Sequence, residues 1–261
     1  MDLGLTGRRA LVLGGNRGMG LAIARCLARE GADVAIAARD PIALEQAKAD
    51  IARHGRKTAA FQLDLSATAA LPDFAARVKA EFGAPDILVN NTGGPPYGGA
   101  TGREPADWTS SFQDMALSVI SLTDALLPAM RAAKWGRVIT LVSSGAMQPI
   151  PVLGISNTLR AALIAWSKTL SNEVAADGVT ANILVPGRIA TDRVRLTDAA
   201  IAARENLTVE QVQARSFASI PMGRYGTPEE IADMIAFLAS PRASYTTGAT
   251  IRVDGGIIRH V

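Results

Sequence analysis

Residues 12–20 read VLGGNRGMG, and this stretch decides the fold. It follows the short apolar run 10–13 and opens a segment with helical periodicity over 18–29. In such a loop Gly14 permits the tight turn out of a strand, Gly18 lets the backbone approach a pyrophosphate, and Gly20 lets the helix pack close to the sheet. A glycine triplet alone also marks ordinary turns, but its place between a strand and a helix predicts a dinucleotide-binding loop.

Strand-like and helix-like segments alternate along the rest of the chain. We predict strands over 10–13, 33–38, 58–63, 86–90, 137–142, 179–185 and 249–253. We predict helices over 18–29, 42–53, 71–82, 105–117, 119–133, 155–176 and 228–239. Apolar runs that alternate with helices indicate a doubly wound α/β fold, with a parallel sheet covered by helices on both faces. The longest break in the pattern, about 188–222, is a candidate substrate lid.

Composition narrows the partners and the compartment. The formal charge is only +3 and the basic residues are dispersed, so we expect no nucleic-acid partner. Cys26 is the only cysteine, which excludes an intrachain disulfide and favours a cytoplasmic setting; the residue itself is typical of a small apolar position on the first helix. No signal-peptide core opens the chain and no apolar run approaches ~18 residues, so we expect no membrane partner. We predict no metal site.

Four further motifs follow the glycine loop in order: Asn90-Asn91-Thr92-Gly93, Gly136-Arg137-Val138-Ile139, Pro186-Gly187 and Asp254-Gly255-Gly256. Together with Gly14-x3-Gly18-x-Gly20 they resemble the short-chain dehydrogenase/reductase family over essentially the whole chain, and most of all its 3-oxoacyl-carrier-protein reductases. The resemblance implies a seven-stranded Rossmann-type sheet in a single domain over 1–261, and commonly a homotetramer. An apolar stripe on one helix is a candidate face for such assembly, and core packing within the chain is the alternative interpretation. The stripe is formed by Leu159, Leu163, Trp166, Leu170 and Val174.

The charge at the end of the second strand favours NADP(H) over NAD(H). An acidic residue there would accept hydrogen bonds from the adenosine ribose, but this chain has Ala37-Ala38 followed by Arg39. An arginine pairs bidentately with a 2′-phosphate, and Arg17 in the glycine loop approaches from the other side. We expect Asp40 to cap the helix that begins at Pro41 rather than to oppose the phosphate. A solvated loop charge is the alternative interpretation of Arg39.

The resemblance also implies the remaining cofactor contacts. Asp64 and Leu65 flank the adenine, Asn90 and Gly93 line the adenosine side, and Ile189 and Thr191 meet the nicotinamide carboxamide. The full set of candidate cofactor-binding residues is Gly14, Asn16, Arg17, Gly18, Met19, Gly20, Arg39, Asp64, Leu65, Asn90, Thr92, Gly93, Arg160, Pro186, Gly187, Ile189 and Thr191.

The reaction centre departs from the family pattern. The resemblance implies a serine that polarises the carbonyl, a tyrosine that exchanges the proton, a lysine one helical turn later, and an asparagine that supports a relay water. Alignment from Gly136-Arg137 puts Ser143 at the serine position, Ser156 at the tyrosine position and Arg160 at the lysine position. Alignment from Asp107-Trp108 puts Met115 at the asparagine position. The candidate catalytic residues are therefore Ser143, Ser156 and Arg160.

These replacements weaken the usual proton path. A serine hydroxyl has a pKa far above the ~10 of tyrosine, so Ser156 is a poor general acid at neutral pH. Arg160 lies on the same helical face and can bind ribose hydroxyls, but it does not shuttle protons. The alternatives are that Ser156 and Arg160 form a polar face without chemistry, and that Ser143 is a strand-end turn residue. Tyr97, in a Pro/Gly-rich loop after the fourth strand, is a less favoured source of the proton.

Two hypotheses remain. The first is an NADP(H)-dependent oxidoreductase with a rebuilt proton path, acting on a small carbonyl or alcohol with acyl thioesters among the candidates. The second is a catalytically weak or inactive NADP(H)-binding protein with a sensing or assembly role. Halohydrin dehalogenases share the fold and an arginine at the position of Arg160, but they keep the tyrosine and fill the glycine loop with a bulky residue, so this chain fits them poorly.

Overall fold

The structure is a computed structural model that describes residues 2–260. Seven strands form one sheet in which every neighbouring pair is parallel, in the order β3-β2-β1-β4-β5-β6-β7. They are β1 (Arg9–Leu13), β2 (Asp33–Ala38), β3 (Thr58–Gln62), β4 (Ile87–Asn90), β5 (Gly136–Leu141), β6 (Val179–Pro186) and β7 (Thr250–Val253). The predicted seven-stranded Rossmann-type sheet is confirmed. Because the strand order reverses between β1 and β4, a ligand crevice is expected at their carboxyl ends.

Helices cover both faces of the sheet. They are α1 (Gly18–Arg29), α2 (Pro41–Ala52), α3 (Leu71–Glu81), α4 (Pro105–Phe112), α5 (Ser118–Ala132), α6 (Gly154–Val174), α7 (Asp192–Glu205), α8 (Val209–Ser219) and α9 (Pro228–Ala239). Alternation along β1 explains the two layers: Ala10 and Val12 pack with α1, α2 and α9, whereas Leu11 and Leu13 pack with α3, α5 and α6. Both faces are therefore apolar, as a buried parallel strand requires.

The region predicted as a lid contains two helices that the sequence pattern missed. Within 188–222, α7 and α8 bury few apolar side chains, so neither shows the regular apolar stripe by which a helix is recognised. Polar residues begin and end them instead: Thr208 forms a capping box with Gln211 at the start of α8, and Asn206 ends α7 in the left-handed conformation.

Helices α4 and α5 form one continuous stretch, joined by a π-helical turn over Gln113–Leu117. By length and composition alone this stretch, Pro105–Ala132, is long and apolar enough to cross a membrane, but half of its most apolar window is buried inside the protein. Leu122 and Leu126 of α5 pack with Phe74 of α3 in the main core.

The apolar stripe on α6 belongs to the chain's own core, which is the alternative interpretation given above, and not to an assembly face. Leu159, Leu163, Leu170 and Val174 are all buried, and they pack against the sheet and its neighbouring helices. Trp166 is half-buried against the same clusters. A helix that covers a parallel sheet needs such a stripe for its own packing, so the stripe gives no information about subunits.

Candidate functional site

The glycine loop after β1 is held closed by its neighbours on both sides. The Gly14 N–H donates to the Ala37 carbonyl at the end of β2 (2.8 Å), and Gly14 adopts φ +61°. A Cβ on Gly14 would lie 2.8 Å from the Asn91 side-chain nitrogen, and a Cβ on Gly20 would clash with the Gly14 carbonyl oxygen. Both glycines are therefore required by close approach, as the sequence predicts.

Helix α1 begins in this loop, and the side chain of its N-cap residue accepts no hydrogen bond from the free N–H groups of the first turn. Its N-cap residue, Arg17, is exposed and makes no capping hydrogen bond. Thr191 is the N-cap of α7 and likewise makes no side-chain cap, and its Cγ2 would lie 3.7 Å from a Cβ on Gly18. Two uncapped helix N-termini therefore meet at Gly18, where free N–H groups and helix dipoles favour an anion such as a pyrophosphate.

The segment after β4 connects the glycine loop to the centre of the crevice. The Asn91 side-chain nitrogen donates to the Leu13 carbonyl (3.2 Å) beside Gly14 and Gly20, a role that the sequence analysis did not assign. Asn90 donates to Thr123 and Thr140, but its Oδ1 is buried without a partner. The Thr92 Oγ1 is also buried without a partner. Such atoms are rare in folded proteins and indicate a site that a ligand or water completes.

At the end of β2, Arg39 is exposed and Asp40 is engaged elsewhere. The Asp40 carboxylate accepts the backbone N–H groups of Ile42 (3.0 Å) and Ala43 (3.1 Å), so it caps α2 as predicted. The pKa of the nearby Asp64 carboxyl is lowered, first by hydrogen bonds from Ser66 and then by the charge of Arg39. Arg39, which directly follows β2 and is exposed, therefore offers a positive charge to an incoming phosphate.

Pro186 is the last residue of β6, and Gly187 directly after it lies close to the end of β7. A Cβ on Gly187 would lie 2.6 Å from the Asp254 Cα, and the Gly187 N–H donates to the Val253 carbonyl (2.9 Å). Ile189 is buried and pairs as an isolated bridge with Gly226. These contacts hold the backbone that leads to Thr191 against the sheet, at the same edge as the glycine loop.

Arg160 occupies the centre of the crevice as a backbone clamp. It is 7% exposed, and one guanidinium nitrogen donates to the carbonyls of Leu141 (3.3 Å) and Val142 (3.4 Å) at the end of β5. The other donates to the carbonyls of Thr92 (3.5 Å) and Gly93 (2.8 Å) after β4. Burial, with a smaller contribution from the charge of Arg193, lowers the pKa of Arg160 to about 10, so the group stays charged at neutral pH.

The two serines differ in what their hydroxyls do. The Ser143 Oγ accepts the Gly145 N–H (3.2 Å) and caps a short 3-10 turn, which matches the turn interpretation but leaves the hydroxyl hydrogen free to donate. Ser156 is buried at the start of α6, one turn before Arg160. Its hydroxyl bonds to no described residue and is not among the fully buried atoms that lack a partner, so it keeps some access to solvent.

Met115 and Tyr97 lie around this centre in different settings. Met115 is buried in the π-helical turn and packs with Ile155, Leu159 and Trp108, so an apolar side chain stands where the resemblance implies an asparagine. Tyr97 is exposed, and its hydroxyl lies 3.0 Å from the Thr197 Oγ1 on α7. Its hydrogen bond is therefore to the predicted lid, 188–222, and not to Ser143 or Ser156. Within residues 2–260 there is no group of three or more His, Cys, Asp or Glu side chains arranged to hold a metal.

A buried ion pair anchors α7, and the sequence gives no sign of it. Asp198 is fully buried, pairs with Arg188 of the loop after β6, and accepts the Tyr225 hydroxyl at 3.0 Å. The Arg188 guanidinium also lies 5.2 Å from the centre of the Tyr225 ring. These three residues are far apart in the chain, so no local pattern reveals them.

The comparisons with known proteins agree with this geometry. A family model described as enoyl-(acyl carrier protein) reductase matches residues 14–258. The chain is 33% identical to the 3-oxoacyl-[acyl-carrier-protein] reductase FabG of Escherichia coli over 96% of its own length and 97% of the relative's. The chain belongs to the short-chain dehydrogenase/reductase family.

Two solved short-chain dehydrogenases/reductases illustrate the likeness. L-sorbose reductase from Gluconobacter frateurii, complexed with NADPH and L-sorbose, superposes with a TM-score of 0.95 at 30% identity over 100% of both chains. A 3-oxoacyl (acyl-carrier-protein) reductase from Agrobacterium tumefaciens C58 with NADP bound has a TM-score of 0.89 at 32% identity, over 97% of this chain and 95% of that one. The first of these structures contains NADPH and the second contains NADP.

The residues present in this chain fit such a dinucleotide. The glycine loop leaves no room for a Cβ at Gly14, Gly15 or Gly20, and two uncapped helix N-termini meet beside it. Thr92 and Asn90 hold buried oxygens without partners. Arg39 offers a positive charge at the strand that ends next to the loop. A Cβ on Gly93 would meet nothing within 4 Å, so the crevice is open at this point.

Proposed function

We propose that this short-chain dehydrogenase/reductase is an NADP(H)-dependent oxidoreductase that reduces a small carbonyl, in the manner of the 3-oxoacyl reductases, without a tyrosine acid. The observation that carries the proposal is the closed glycine loop beside two uncapped helix N-termini, with Arg39 where a carboxylate would favour NAD(H). The similar reductases with NADPH or NADP bound support the same cofactor. When bound, the reduced nicotinamide supplies the hydride.

The proposed proton path uses the two serines. Ser156 and Arg160 stand at the family's tyrosine and lysine positions, and Ser143 stands at the serine position. The Ser143 hydroxyl hydrogen is free to polarise the substrate carbonyl, since its oxygen accepts the Gly145 N–H. The Ser156 hydroxyl, which keeps access to solvent, holds a water that gives its proton to the substrate oxygen and is reprotonated from bulk water. Positioning of the substrate and polarisation of its carbonyl support hydride transfer even where general acid assistance is weak.

Arg160 takes no proton in this scheme. It stays protonated at neutral pH, and its four carbonyl partners hold the ends of β4 and β5 together around the reacting centre. Its contribution is to fix the segments that carry Thr92 and Ser143 and to supply positive charge. We further propose that residues 1–261 form a single domain in which 188–222 acts as a substrate lid. The protein is then a homotetramer in the cytoplasm.

The second candidate is a catalytically weak or inactive NADP(H)-binding protein with a sensing or assembly role. The observation in its favour is that Arg160 uses its hydrogen-bond donors on backbone carbonyls, while Ser156 is a poor acid and Met115 supports no relay water.

Two measurements separate the candidates. NADPH fluorescence on mixing reports binding, and loss of absorbance at 340 nm with a panel of ketones reports turnover. Binding with ketone-dependent consumption supports the oxidoreductase. Binding without consumption supports the second candidate, and absence of binding contradicts both.

A further inference from the structure

Helix α7 lies across the carboxyl edge of the sheet. It follows the segment after β6, but its first turn reaches the segments after two other strands. Thr191, its N-cap residue, lies beside Gly18 after β1, since a Cβ on that glycine would be 3.7 Å from the Thr191 Cγ2. Arg193 lies beside Gly94 after β4, since a Cβ there would be 2.6 Å from one of its terminal nitrogens. The helix therefore passes over the crevice at this edge.

A hydrogen bond between two side chains joins α7 to the segment after β4. The Tyr97 hydroxyl lies 3.0 Å from the Thr197 Oγ1. Because the Thr197 hydroxyl donates its single hydrogen to the Arg193 carbonyl (2.8 Å), Tyr97 is the donor of this bond and Thr197 the acceptor. Tyr97 is exposed, so water competes for both groups and the bond is easily broken.

The β4 side of this bond is held in place by backbone contacts. Arg103 donates to the Tyr97 carbonyl. The Gly98 N–H donates to the Val152 carbonyl (2.7 Å), and the Gly154 N–H donates to the Gly98 carbonyl (3.0 Å). Tyr97 is thus tied to the segment that leads into α6, so the bond to Thr197 opens by movement of α7.

Helix α7 itself is anchored beside Thr197. Two of its residues are buried, Asp198 and Ala202, and it packs mainly on α8. Asp198 pairs with Arg188 and accepts the Tyr225 hydroxyl at 3.0 Å. A buried ion pair is much harder to break than an exposed neutral hydrogen bond, and an element with few buried apolar contacts opens readily. The Asp198 contacts therefore persist when Thr197 is released.

We propose that Tyr97 is a latch that holds α7 closed over the crevice, with Asp198 as the pivot about which the helix opens. Entry and release of a ligand then require the bond between Tyr97 and Thr197 to break. Tyr97 is a positioning residue in this role, because it acts on the crevice through Thr197. The inference rests on the proposed lid role of 188–222, but opening is measurable without turnover.

The test combines limited proteolysis within 192–219 with stopped-flow fluorescence of NADPH release into excess NADP⁺. Tyr97→Phe removes the donor and keeps the ring. We expect cleavage and NADPH release both to become roughly 2- to 10-fold faster, the effect of one neutral hydrogen bond on an opening equilibrium. Thr197→Val should give the same increase, whereas Thr197→Ser keeps the acceptor oxygen and should behave as the parent does.

The matched control is Tyr245→Phe, which should change neither rate. Tyr245 is fully exposed, and its hydroxyl has no hydrogen-bond partner within residues 2–260. The double variant Tyr97→Phe with Thr197→Val should be no faster than either single variant, because all three lack the same bond.

Two results overturn the latch: additive effects of the two substitutions, and a Tyr97→Phe protein that keeps the parent's cleavage and release rates. Faster cleavage and release in Tyr97→Phe, with no NADPH oxidation by any ketone, supports the latch and contradicts the proposed oxidoreductase function alone. Unchanged rates in a protein that does reduce ketones overturn the latch alone.

Discussion

The guanidinium of Arg160 donates a 2.8 Å hydrogen bond to the carbonyl oxygen of Gly93, and so ties α6 to the segment after β4. A lysine at this position would carry one nitrogen at the end of a flexible stem, whereas the planar guanidinium reaches carbonyls both at the end of β5 and in the segment after β4. Arg160 is therefore a fixed clamp with a buried charge, where a lysine would be a mobile ammonium.

Arg39 should control the choice between the two nicotinamide dinucleotides. We expect NADPH to bind more tightly than NADH, and Arg39→Ala to weaken NADPH binding by roughly 10- to 100-fold, because a charge-assisted hydrogen bond to the 2′-phosphate is lost. Fluorescence titration with both cofactors measures this. NADH affinity is the internal control and should not change. Equal affinities in the parent, or an unchanged NADPH affinity in the variant, would remove the charge argument.

Restoring the family's acid should raise activity on carbonyls. The double variant Ser156→Tyr with Arg160→Lys should reduce ketones roughly 100- to 10,000-fold faster, the usual worth of general acid assistance, with Met115 limiting the gain. Steady-state NADPH oxidation measures the rate. Arg160→Lys alone is the control: it should lose carbonyl contacts at β5 and gain no rate. A folded, NADPH-binding double variant that is slower than the parent on the parent's own substrate contradicts this picture, and implies that Ser156 and Arg160 perform a different chemistry.

Asp198 should hold the lid region in place. Asp198→Asn removes the buried negative charge that pairs with Arg188 and accepts the Tyr225 hydroxyl. We expect the free energy of unfolding to fall by about 2 kcal/mol. This is below the usual cost for a fully buried pair because the Arg188 side chain is 27% exposed. Thermal unfolding measures the loss, and limited proteolysis should show faster cleavage within 192–219. The exposed pair Asp192–Arg195 provides the control, since Asp192→Asn should change neither. Equal protease resistance of Asp198→Asn and the parent would exclude an anchoring role.

Cys26 should be unreactive in the folded protein. Burial, partly opposed by the charge of Arg29, raises the pKa of its thiol from 9.0 to about 12. The reactive thiolate is therefore scarce at pH 8, and labelling by a disulfide reagent should be slow until the chain is unfolded. Because the unfolded chain loses this proton near pH 9.0 and the folded protein near pH 12, the thiol's contribution to stability is present below about pH 9 and is lost as the pH rises between those values. Rapid native labelling at pH 8 would contradict the burial argument.

The oligomeric state is tested by sedimentation. We expect a homotetramer on the family resemblance alone, because the α6 stripe is internal to the subunit. Sedimentation velocity at micromolar concentration should give about four times the chain mass of 27.2 kDa. A monomer under these conditions refutes the prediction.

The sequence by itself determined the sheet and the cofactor loop. Alternating apolar residues in strands such as β1, together with glycines at Gly14, Gly18 and Gly20, are local signals, because each strand, turn or helix start is specified by residues close together in the chain. The capping role of Asp40 was predicted for the same reason, since its partners Ile42 and Ala43 lie two and three residues away.

Only the tertiary structure decided which charges are paired and which apolar faces are internal. Arg193 and Arg195 lie two residues apart on α7, and nothing in the sequence distinguishes them. Within residues 2–260, Arg193 lies against Gly94 without an ion-pair partner, whereas Arg195 pairs with Asp192. The bonds from Arg160 to Gly93 and from Tyr225 to Asp198 span 67 and 27 residues. The physical reason is that an ion pair or a buried face depends on a partner delivered by the folded chain, and sequence spacing carries no record of that partner.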